Sequence, residues 1–283
     1  MNTEQPILLN NRMVENPWLE TPRIDEWKMA DIDLETILER YQPISLDEME
    51  TVALQNRVDI KYVMPLNVMQ NTLSALVNEY RILVVKDKPF NHYRTLYFDT
   101  PGFAFFNMHV NGQAERYKVR SREYLDTRSN FLEVKHKTRK NRTVKKRLAT
   151  RLPLLNLNGE ASQWVDGIIP QETGILEPKI CNTFTRITLV SLERCERVTI
   201  DMNIAFYNAN HLSLLEGVAV AEVKMDRQDL DSAFKRLMHE QHVHTHKFSK
   251  YCIGASLLYE SLKKNSLKES LLFINKTTHG VVK

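Results

Sequence analysis

Strict alternation of charged side chains along residues 116–122 is the sequence feature that most constrains this fold. Every second residue of the stretch is a cation, namely Arg116, Lys118, Arg120 and Arg122. Successive side chains of a β-strand point to opposite faces of the sheet, so a strand would collect these charges on one face. Residues 131–137 alternate in the same way and place Glu133, Lys135 and Lys137 together. The pattern predicts two strands that share one strongly charged face.

Positive charge is concentrated in this part of the chain. Residues 115–151 contain 14 Lys and Arg against 4 Asp and Glu, whereas the whole chain carries a net charge of +4. The remainder is therefore about −6 (4 minus 10). Cations that face each other on adjacent strands repel, so such a face favours an anionic ligand. The alternative is a basic sheet face that is simply solvated.

Size and composition fit a globular protein of one large domain or two small ones. The chain has 283 residues, 42% of them hydrophobic and 26% charged. No run approaches the roughly 20 apolar residues of a membrane span, and the first residues lack the apolar block of a signal peptide. We therefore expect a cytoplasmic protein. Three cysteines without metal or redox spacing are typical of reduced structural thiols.

The remaining periodicity predicts an α+β protein built on antiparallel strands. Further strands are expected over residues 57–63, 93–98, 183–190, 197–201 and 218–224. Helices are expected near residues 32–41, after the capping box Ser45 to Glu48, after Pro65, and over residues 162–169, 228–239 and 250–262. The predicted division is a leader with a helix (1–44), a main domain (45–263) and a C-terminal tail (264–283) that stays partly free of the domain.

A closed antiparallel sheet would turn one face of each strand towards a common interior. The basic residues available to that interior are Arg57, Lys61, Lys118, Arg120, Arg122, Lys135, Lys145, Arg147, Arg186, Arg197, Lys224, Lys247 and Lys250. The acidic residues are Asp59, Glu133, Asp201 and Glu222. Cations would hold a polyanion, and the few carboxylates would hold Mg²⁺ or Mn²⁺. This combination suits phosphoryl transfer, and the chain has neither a Walker-type phosphate loop nor a nucleophile elbow.

Six motifs resemble the polyphosphate polymerase domain of the vacuolar transporter chaperone (VTC) family, a branch of the triphosphate tunnel metalloenzymes related to the CYTH group. They are Lys61-Tyr62, Tyr97-Phe98-Asp99-Thr100, Arg116 to Arg122, Phe131 to Lys135, Ala221-Glu222-Val223-Lys224 and Lys247-Phe248-Ser249-Lys250-Tyr251. The resemblance covers residues 45–262 in the same order and looks like a bacterial, stand-alone version. Two positions depart from the pattern. Asp59 stands where a Glu is frequent, and Lys118 stands where an Arg is usual.

The resemblance implies a tunnel of eight antiparallel strands with flanking helices, in which cations hold a nucleoside triphosphate tail and a growing polyphosphate. Lys61, Arg120, Lys135 and Glu222 would be catalytic. The residues that would bind phosphate are Lys61, Lys118, Arg120, Arg122, Lys135, Lys145, Arg186, Arg197, Lys224, Lys247, Ser249 and Lys250. Glu222 and then Glu133 would hold the metal, Mn²⁺ or Mg²⁺. The register leaves open whether Lys145 or Lys146 faces the tunnel.

Three functions stay open at this point. The first is synthesis of polyphosphate from ATP, the second hydrolysis of triphosphate or tripolyphosphate, and the third a binding module for polyphosphate without catalysis. Nucleic acid is not expected as a ligand, because inward carboxylates oppose it. The histidines near residues 239–246 would be solvated rather than metal ligands. The sequence identifies no membrane-protein partner.

Overall fold

A computed structural model of the chain describes most of its residues. The described ranges are 7–9, 12–14, 18, 34–51, 57–140, 142–228 and 231–280. The strands are β1 (Ile7–Leu9), β2 (Arg12–Val14), β3 (Gln42–Ile44), β4 (Arg57–Pro65), β5 (Tyr80–Leu83), β6 (Asn91–Asp99), β7 (Arg116–Tyr124), β8 (Ser129–Lys137), β9 (Thr143–Thr150), β10 (Glu177–Ser191), β11 (Glu196–Tyr207), β12 (Leu212–Leu215) and β13 (Val218–Asp226). The helices are α1 (Leu34–Glu39), α2 (Leu46–Thr51), α3 (Leu66–Ala75), α4 (Ala104–Val110), α5 (Gly159–Asp166), α6 (Ala233–Glu240), α7 (Lys250–Leu258) and α8 (Lys268–Gly280).

One large sheet forms the centre of the protein. Its main path has eight antiparallel strands in the order β4-β13-β11-β10-β6-β7-β8-β9, and β12, β5 and β3 extend it at the side. This confirms the predicted α+β class and the eight-strand antiparallel sheet. Closure differs from the expectation, because no described residue of β4 pairs with β9. Thr245 instead bridges Tyr62 on β4, and the His246 amide donates to the Lys61 carbonyl at 2.9 Å.

The outer face of the sheet is apolar and covered by helices. On β8, Leu132 and Val134 are buried in a cluster that α5 covers. On β4, Tyr62 and Met64 pack into a second cluster with residues of α1, α3 and α6. The alternation read from the sequence is therefore confirmed: apolar side chains face the helices, and the charged side chains of the same strands face the other way.

Helix α7 packs against one end of the inner face. A Cβ on Gly254 would lie 2.4 Å from a ring carbon of Phe206, so only glycine allows this close approach of helix and strand. The Tyr251 hydroxyl donates to Asp99 at 2.5 Å, and Asp99 also accepts from the amides of Phe105 and Phe106 at the start of α4. These bonds fix the beginning of α7 relative to β6.

The segments before and after the main domain differ in how well the sequence predicted them. The capping box is confirmed, since the Ser45 amide donates to Glu48 and the Glu48 amide donates to Ser45. The segment after Lys263 differs from the partly free tail that we expected, because Ile274 of α8 is buried in the cluster that contains α7. The predicted leader lies mostly outside the described residues, although β1 and β2 pair within it. Within the described part of the chain, no helix has the length and apolarity that a membrane span requires.

Candidate functional site

The central sheet curls so strongly that distant strands face each other. Strand β13 carries Glu222 and β8 carries Lys135, and four other strands separate them in the sheet order. A flat sheet would hold them about 24 Å apart, at roughly 4.8 Å per strand. Lys135 nevertheless helps to lower the pKa of Glu222, and Glu222 opposes the lowering of the pKa of Lys135. The inner face is therefore concave, and we term the space in front of it the channel.

Strands β7, β8 and β9 form what we term the cationic wall of this channel. Lys118, Lys135 and Lys145 are direct cross-strand partners and form a row of three lysines on the inner face. In the next row, Arg120, Glu133 and Arg147 are partners. The structure thereby decides the register that the sequence left open. Lys145 lies on the inner side beside Glu133, and Lys146 pairs with Val134 on the other side.

Glu133 is the counter-charge of the cationic wall. It is completely buried, and its Oε2 accepts from Arg120 Nε at 2.8 Å and from Arg120 Nη2 at 2.5 Å. Its Oε1 forms an ion pair with Lys145. Burial alone would raise the pKa of Glu133, but these cations lower it below its usual range. Both carboxylate oxygens therefore face cations.

The lysines of the cationic wall are under electrostatic strain. The charge of Arg120, followed by burial, lowers the pKa of Lys135 well below its usual value. Burial lowers the pKa of Lys118 to about 8. Clustered ammonium groups with lowered pKa values mean that the folded protein keeps these charges at a cost. An anion between them would relieve that cost.

Strands β4, β13, β11 and β10 form the mixed wall opposite. Glu222 forms an ion pair with Lys224, and its Oε2 lies 3.5 Å from Lys61 Nζ on β4. Burial acts to raise the pKa of Glu222, but Lys224 and Lys61 lower it well below its usual value. The Glu222 side chain is 25% exposed, in contrast to the buried Glu133.

Asp201 anchors the second ion-pair cluster of the mixed wall. Arg186 contacts both of its oxygens, from Nε to Oδ1 at 2.5 Å and from Nη2 to Oδ2 at 2.8 Å. Lys250 at the start of α7 also binds Asp201 Oδ2. A two-pronged arginine–carboxylate contact is among the strongest ion pairs in proteins. It fixes the guanidinium of Arg186 and the ammonium of Lys250 near each other.

Residues 245–250, which we term the crossing segment, join the two walls. Lys61 Nζ donates to the Phe248 carbonyl at 2.8 Å, and Lys118 Nζ donates to Ser249 Oγ at 2.9 Å. Lys61 belongs to the mixed wall and Lys118 to the cationic wall, so the segment spans the channel. Ser249 also caps α7 by accepting from the Cys252 amide.

Most of the predicted site residues come together in this channel. Besides the residues already placed, Arg122 is buried on β7, and Arg197 is the cross-strand partner of Lys224. Lys247 of the crossing segment is exposed. Asp59 pairs in register with Lys224 and is exposed. The side chain of Arg57 lies outside the described residues.

An aromatic pair beneath the cations was missed at the sequence level. The rings of Tyr93 and Phe184 stack with centroids 5.0 Å apart and an interplanar angle of 2°. Arg122 lies 5.5 Å from the Tyr93 ring, and Lys250 lies 4.4 Å from the Phe184 ring. Such cation–π contacts hold the cations in place without neutralising them. Strand parity could have revealed Tyr93, because it shares a face with Thr95 and Tyr97 of the same strand.

A divalent metal has a limited set of partners here. No group of three acidic, histidine or cysteine side chains with metal-binding geometry occurs among the described residues. Mg²⁺, however, is usually bound by one or two carboxylates together with substrate phosphates. Glu222 fits that mode, since it is partly exposed in the channel, whereas both oxygens of Glu133 face cations. Among the histidines near residues 239–246, His246 stacks its ring on that of Phe273, with ring centroids 4.2 Å apart.

The structure defines an α+β protein whose curled antiparallel sheet carries clustered cations and a few carboxylates on its inner face. The chain belongs to the VTC domain family, whose family model matches residues 56–259. No curated protein sequence matches the chain.

Several solved structures are similar, all at low identity. An adenylyl cyclase candidate from Hippeastrum, described as having a dominant triphosphatase activity, is 12% identical and has a TM-score of 0.46. The match covers 72% of this chain and 97% of that chain. A candidate adenylate cyclase from Bacillus halodurans is 12% identical with a TM-score of 0.45, over 69% of this chain and 94% of that chain. Another from Vibrio parahaemolyticus is 15% identical with a TM-score of 0.41, over 72% and 100%.

Proposed function

We propose that this protein is a metal-dependent phosphotransferase that synthesises polyphosphate from ATP inside the channel. The observation that carries the proposal is the row of Lys118, Lys135 and Lys145 on adjacent strands of the inner face. Three neighbouring ammonium groups repel one another unless an anion lies between them. A chain of phosphates is an anion that could contact all three. Membership of the VTC domain family supports the same substrate class.

The channel supplies what phosphoryl transfer requires, which is positioning and charge neutralisation. In the proposed reaction, a terminal oxygen of the polyphosphate chain attacks the γ-phosphorus of ATP. A new P–O bond forms, the bond to the β-phosphate oxygen breaks, and ADP leaves. Lys135 and Arg120 would bind the transferred group from the cationic wall, and Lys61 would bind it from the mixed wall. Glu133 would act through Arg120, because it holds the guanidinium in position.

The other predicted cations would bind the remaining phosphates of ATP and of the polyphosphate chain. Arg122, Arg186 and Lys250 lie around the aromatic pair, and Lys224 and Arg197 lie beyond Glu222 along the mixed wall. Glu222 would hold Mg²⁺ or Mn²⁺ together with substrate phosphates, and the ion would supply charge neutralisation at the transferred group. Ser249 would orient Lys118. Lys247 would contact phosphate only from an exposed position of the crossing segment.

Hydrolysis of triphosphate or tripolyphosphate is the alternative within the same site. The two reactions differ only in whether a phosphate end or a water molecule occupies the acceptor position. A third outcome is binding of polyphosphate without turnover. All three use the same cations.

Incubation of the purified protein with ATP and Mn²⁺ or Mg²⁺ tests the proposal. Long-chain polyphosphate and free phosphate are measured separately, for the wild type, for Glu222→Gln and for Glu216→Gln as a control at an exposed turn. We expect polymer from the wild type and the control, and at least a hundredfold less from Glu222→Gln. Free phosphate without polymer would establish the hydrolase instead. Binding without any product would leave a non-catalytic module.

A further inference from the structure

The hairpin that joins β8 to β9 carries several cations that lie outside the channel. Residues 135–151 include nine Lys and Arg and no Asp or Glu. Lys135 and Lys145 face the channel, but Lys140, Arg142 and Lys146 are exposed around the tip and the outer side of the hairpin. We term the described residues 137–140 and 142–147 the basic hairpin.

Few carboxylates neutralise the basic hairpin. In the described part of the chain, its ion pairs are Arg139 with Glu115 at 3.0 Å and Lys145 with Glu133. Lys137, Lys140, Arg142 and Lys146 form no ion pair there. Lys137 is moreover the cross-strand partner of Arg116, so two like charges oppose each other at the rim of the channel. Such an arrangement is unfavourable without an anion.

The basic hairpin continues the cationic wall without interruption. Lys145 belongs to the row of three ammonium groups, and Arg142 lies three residues away, which is about 10 Å along an extended chain. Lys137 extends the row of β8 in the same direction. Positive charge therefore leads from the buried Arg120 to the exposed tip of the hairpin.

We propose that the basic hairpin binds the part of an inorganic polyphosphate chain that extends out of the channel. The identity of this polyanion rests on the proposed function. A substrate of three phosphates held at the lysine row would not reach the tip, whereas a long chain would contact both. The hairpin thus distinguishes long chains from short ones and would keep a growing product on the protein.

Protection of a sheet edge and binding of nucleic acid would also account for these charges, but each makes a different prediction. Strand β9 is an exposed edge, and lysines on edge strands prevent pairing with another molecule. Single-stranded nucleic acid is another polyanion, but its binding sites combine cations with aromatic rings on which bases stack. Residues 132–151 contain no Phe, Tyr or Trp. The composition therefore favours a polyanion without bases.

A matched pair of triple variants tests the proposal. The hairpin variant carries Lys140→Gln, Arg142→Gln and Lys146→Gln, and the control carries Lys263→Gln, Lys268→Gln and Lys276→Gln. Both remove three exposed cations and change the net charge equally. Equilibrium binding of long-chain polyphosphate and of tripolyphosphate is measured at several salt concentrations.

We expect the hairpin variant to bind long-chain polyphosphate at least tenfold more weakly at low salt and tripolyphosphate within twofold of the wild type. The slope of log affinity against log salt for the long chain should fall by about 2, since each lost phosphate contact removes about 0.7. The control should keep both affinities within twofold.

Three results would overturn the proposal. Equal losses in both variants would mean that only net charge matters. Unchanged affinity with new dimers or aggregates in the hairpin variant would establish the edge-protecting role. Tighter wild-type binding of a single-stranded oligonucleotide than of polyphosphate with equal charge would point to nucleic acid. Because binding needs no turnover, a wild type without ATP turnover would refute the proposed function while these measurements still decide the hairpin.

Discussion

Glu133 of the cationic wall and Glu222 of the mixed wall differ in burial and in the partners that they bind. In the cationic wall, Glu133 is fully buried and locked between Arg120 and Lys145. In the mixed wall, Asp201 is buried between Arg186 and Lys250 in a similar way, but Glu222 is partly exposed and its ion pairs among the described residues are with lysines. A buried carboxylate between fixed cations holds the wall together. A partly exposed carboxylate beside flexible ammonium groups can exchange those partners for a ligand.

This difference separates stability from function within a single channel. Removing one member of a buried ion pair leaves a charge without its partner and is strongly destabilising. Removing a member of a partly exposed pair costs much less. Substitution of Glu133 should therefore act mainly by unfolding the protein, and substitution of Glu222 mainly by removing ligand-dependent properties.

The largest effect on stability is expected for Glu133→Gln. The amide has nearly the same shape but leaves the buried Arg120 and the partly exposed Lys145 without their counter-charge, which should lower the free energy of unfolding by about 3 kcal/mol. Urea denaturation of this variant and of Glu222→Gln provides the measurement. Glu222→Gln should change stability by less than about 1 kcal/mol. Equal destabilisation by both substitutions would remove the distinction between the two walls.

Lys135→Met should have opposite effects on stability and on ligand binding. Loss of this ammonium relieves its repulsion with Arg120 and Lys118, so the free energy of unfolding should stay equal or rise by up to about 1 kcal/mol. Affinity for tripolyphosphate should fall about tenfold, because one charged contact with phosphate is lost. Denaturation and equilibrium binding check the two effects.

Lys224→Met is the matched variant on the mixed wall. Burial also lowers the pKa of Lys224, but Lys224 is an ion-pair partner of Glu222, so its removal leaves that carboxylate with fewer cations and should lower stability rather than raise it. A stability loss in Lys135→Met as large as that in Lys224→Met would contradict the view that the lysine row is strained.

The pH dependence should also run in opposite directions for affinity and stability. Burial lowers the pKa of Lys118 and of Lys250 to about 8, compared with 10.5 for an unperturbed lysine. Above pH 8 these groups lose their protons in the folded protein, so the affinity for tripolyphosphate should fall about tenfold per lysine between pH 7 and pH 9. Between pH 8 and about 10, Lys118 and Lys250 bind more protons in the unfolded chain than in the folded protein. The contribution of these two lysines to the free energy of unfolding therefore rises with pH in this range.

A Lys118→Arg variant isolates the contribution of Lys118. The guanidinium stays charged throughout this range, so the fall in affinity should become shallower. Binding isotherms for tripolyphosphate, measured from pH 7 to pH 9, give the slope of log affinity against pH for the wild type and for this variant. Identical slopes for the wild type and this variant would exclude Lys118 as the titrating group.

Much of the channel could be predicted from the sequence, because strand parity needs only a period of two. The inner positions of Lys118, Arg120 and Lys135 follow from their alternation with Tyr117, Val119 and Val134. The boundary of α2 followed from local capping chemistry at Ser45. These features depend on neighbours in the sequence, and the structure confirms them.

Features that depend on distant contacts could not be predicted in the same way. The crossing segment has no regular period, and its course is fixed by single bonds from Lys61 and Lys118, which lie more than 130 residues away. The choice between Lys145 and Lys146 required the register of β9 on β8. The sheet remains unclosed because residues near Thr245, rather than β9, lie against the edge of β4. No local sequence pattern determines which of these two segments lies against β4.

The smallest effect is expected for Ser249→Ala, which tests the link between the two walls. Ser249 Oγ accepts from the Cys252 amide as the cap of α7 and from Lys118 Nζ at 2.9 Å. Loss of a helix cap costs about 1 kcal/mol. Ser232→Ala removes the cap of α6, which accepts from the Lys235 amide at 3.1 Å away from the channel, and should cost about the same. Only Ser249→Ala should also change the affinity for tripolyphosphate, by about threefold, because Lys118 then loses the bond that orients it across the channel. Equal affinities in the two variants would mean that Ser249 serves α7 alone and that the cationic wall binds its ligand without help from the crossing segment.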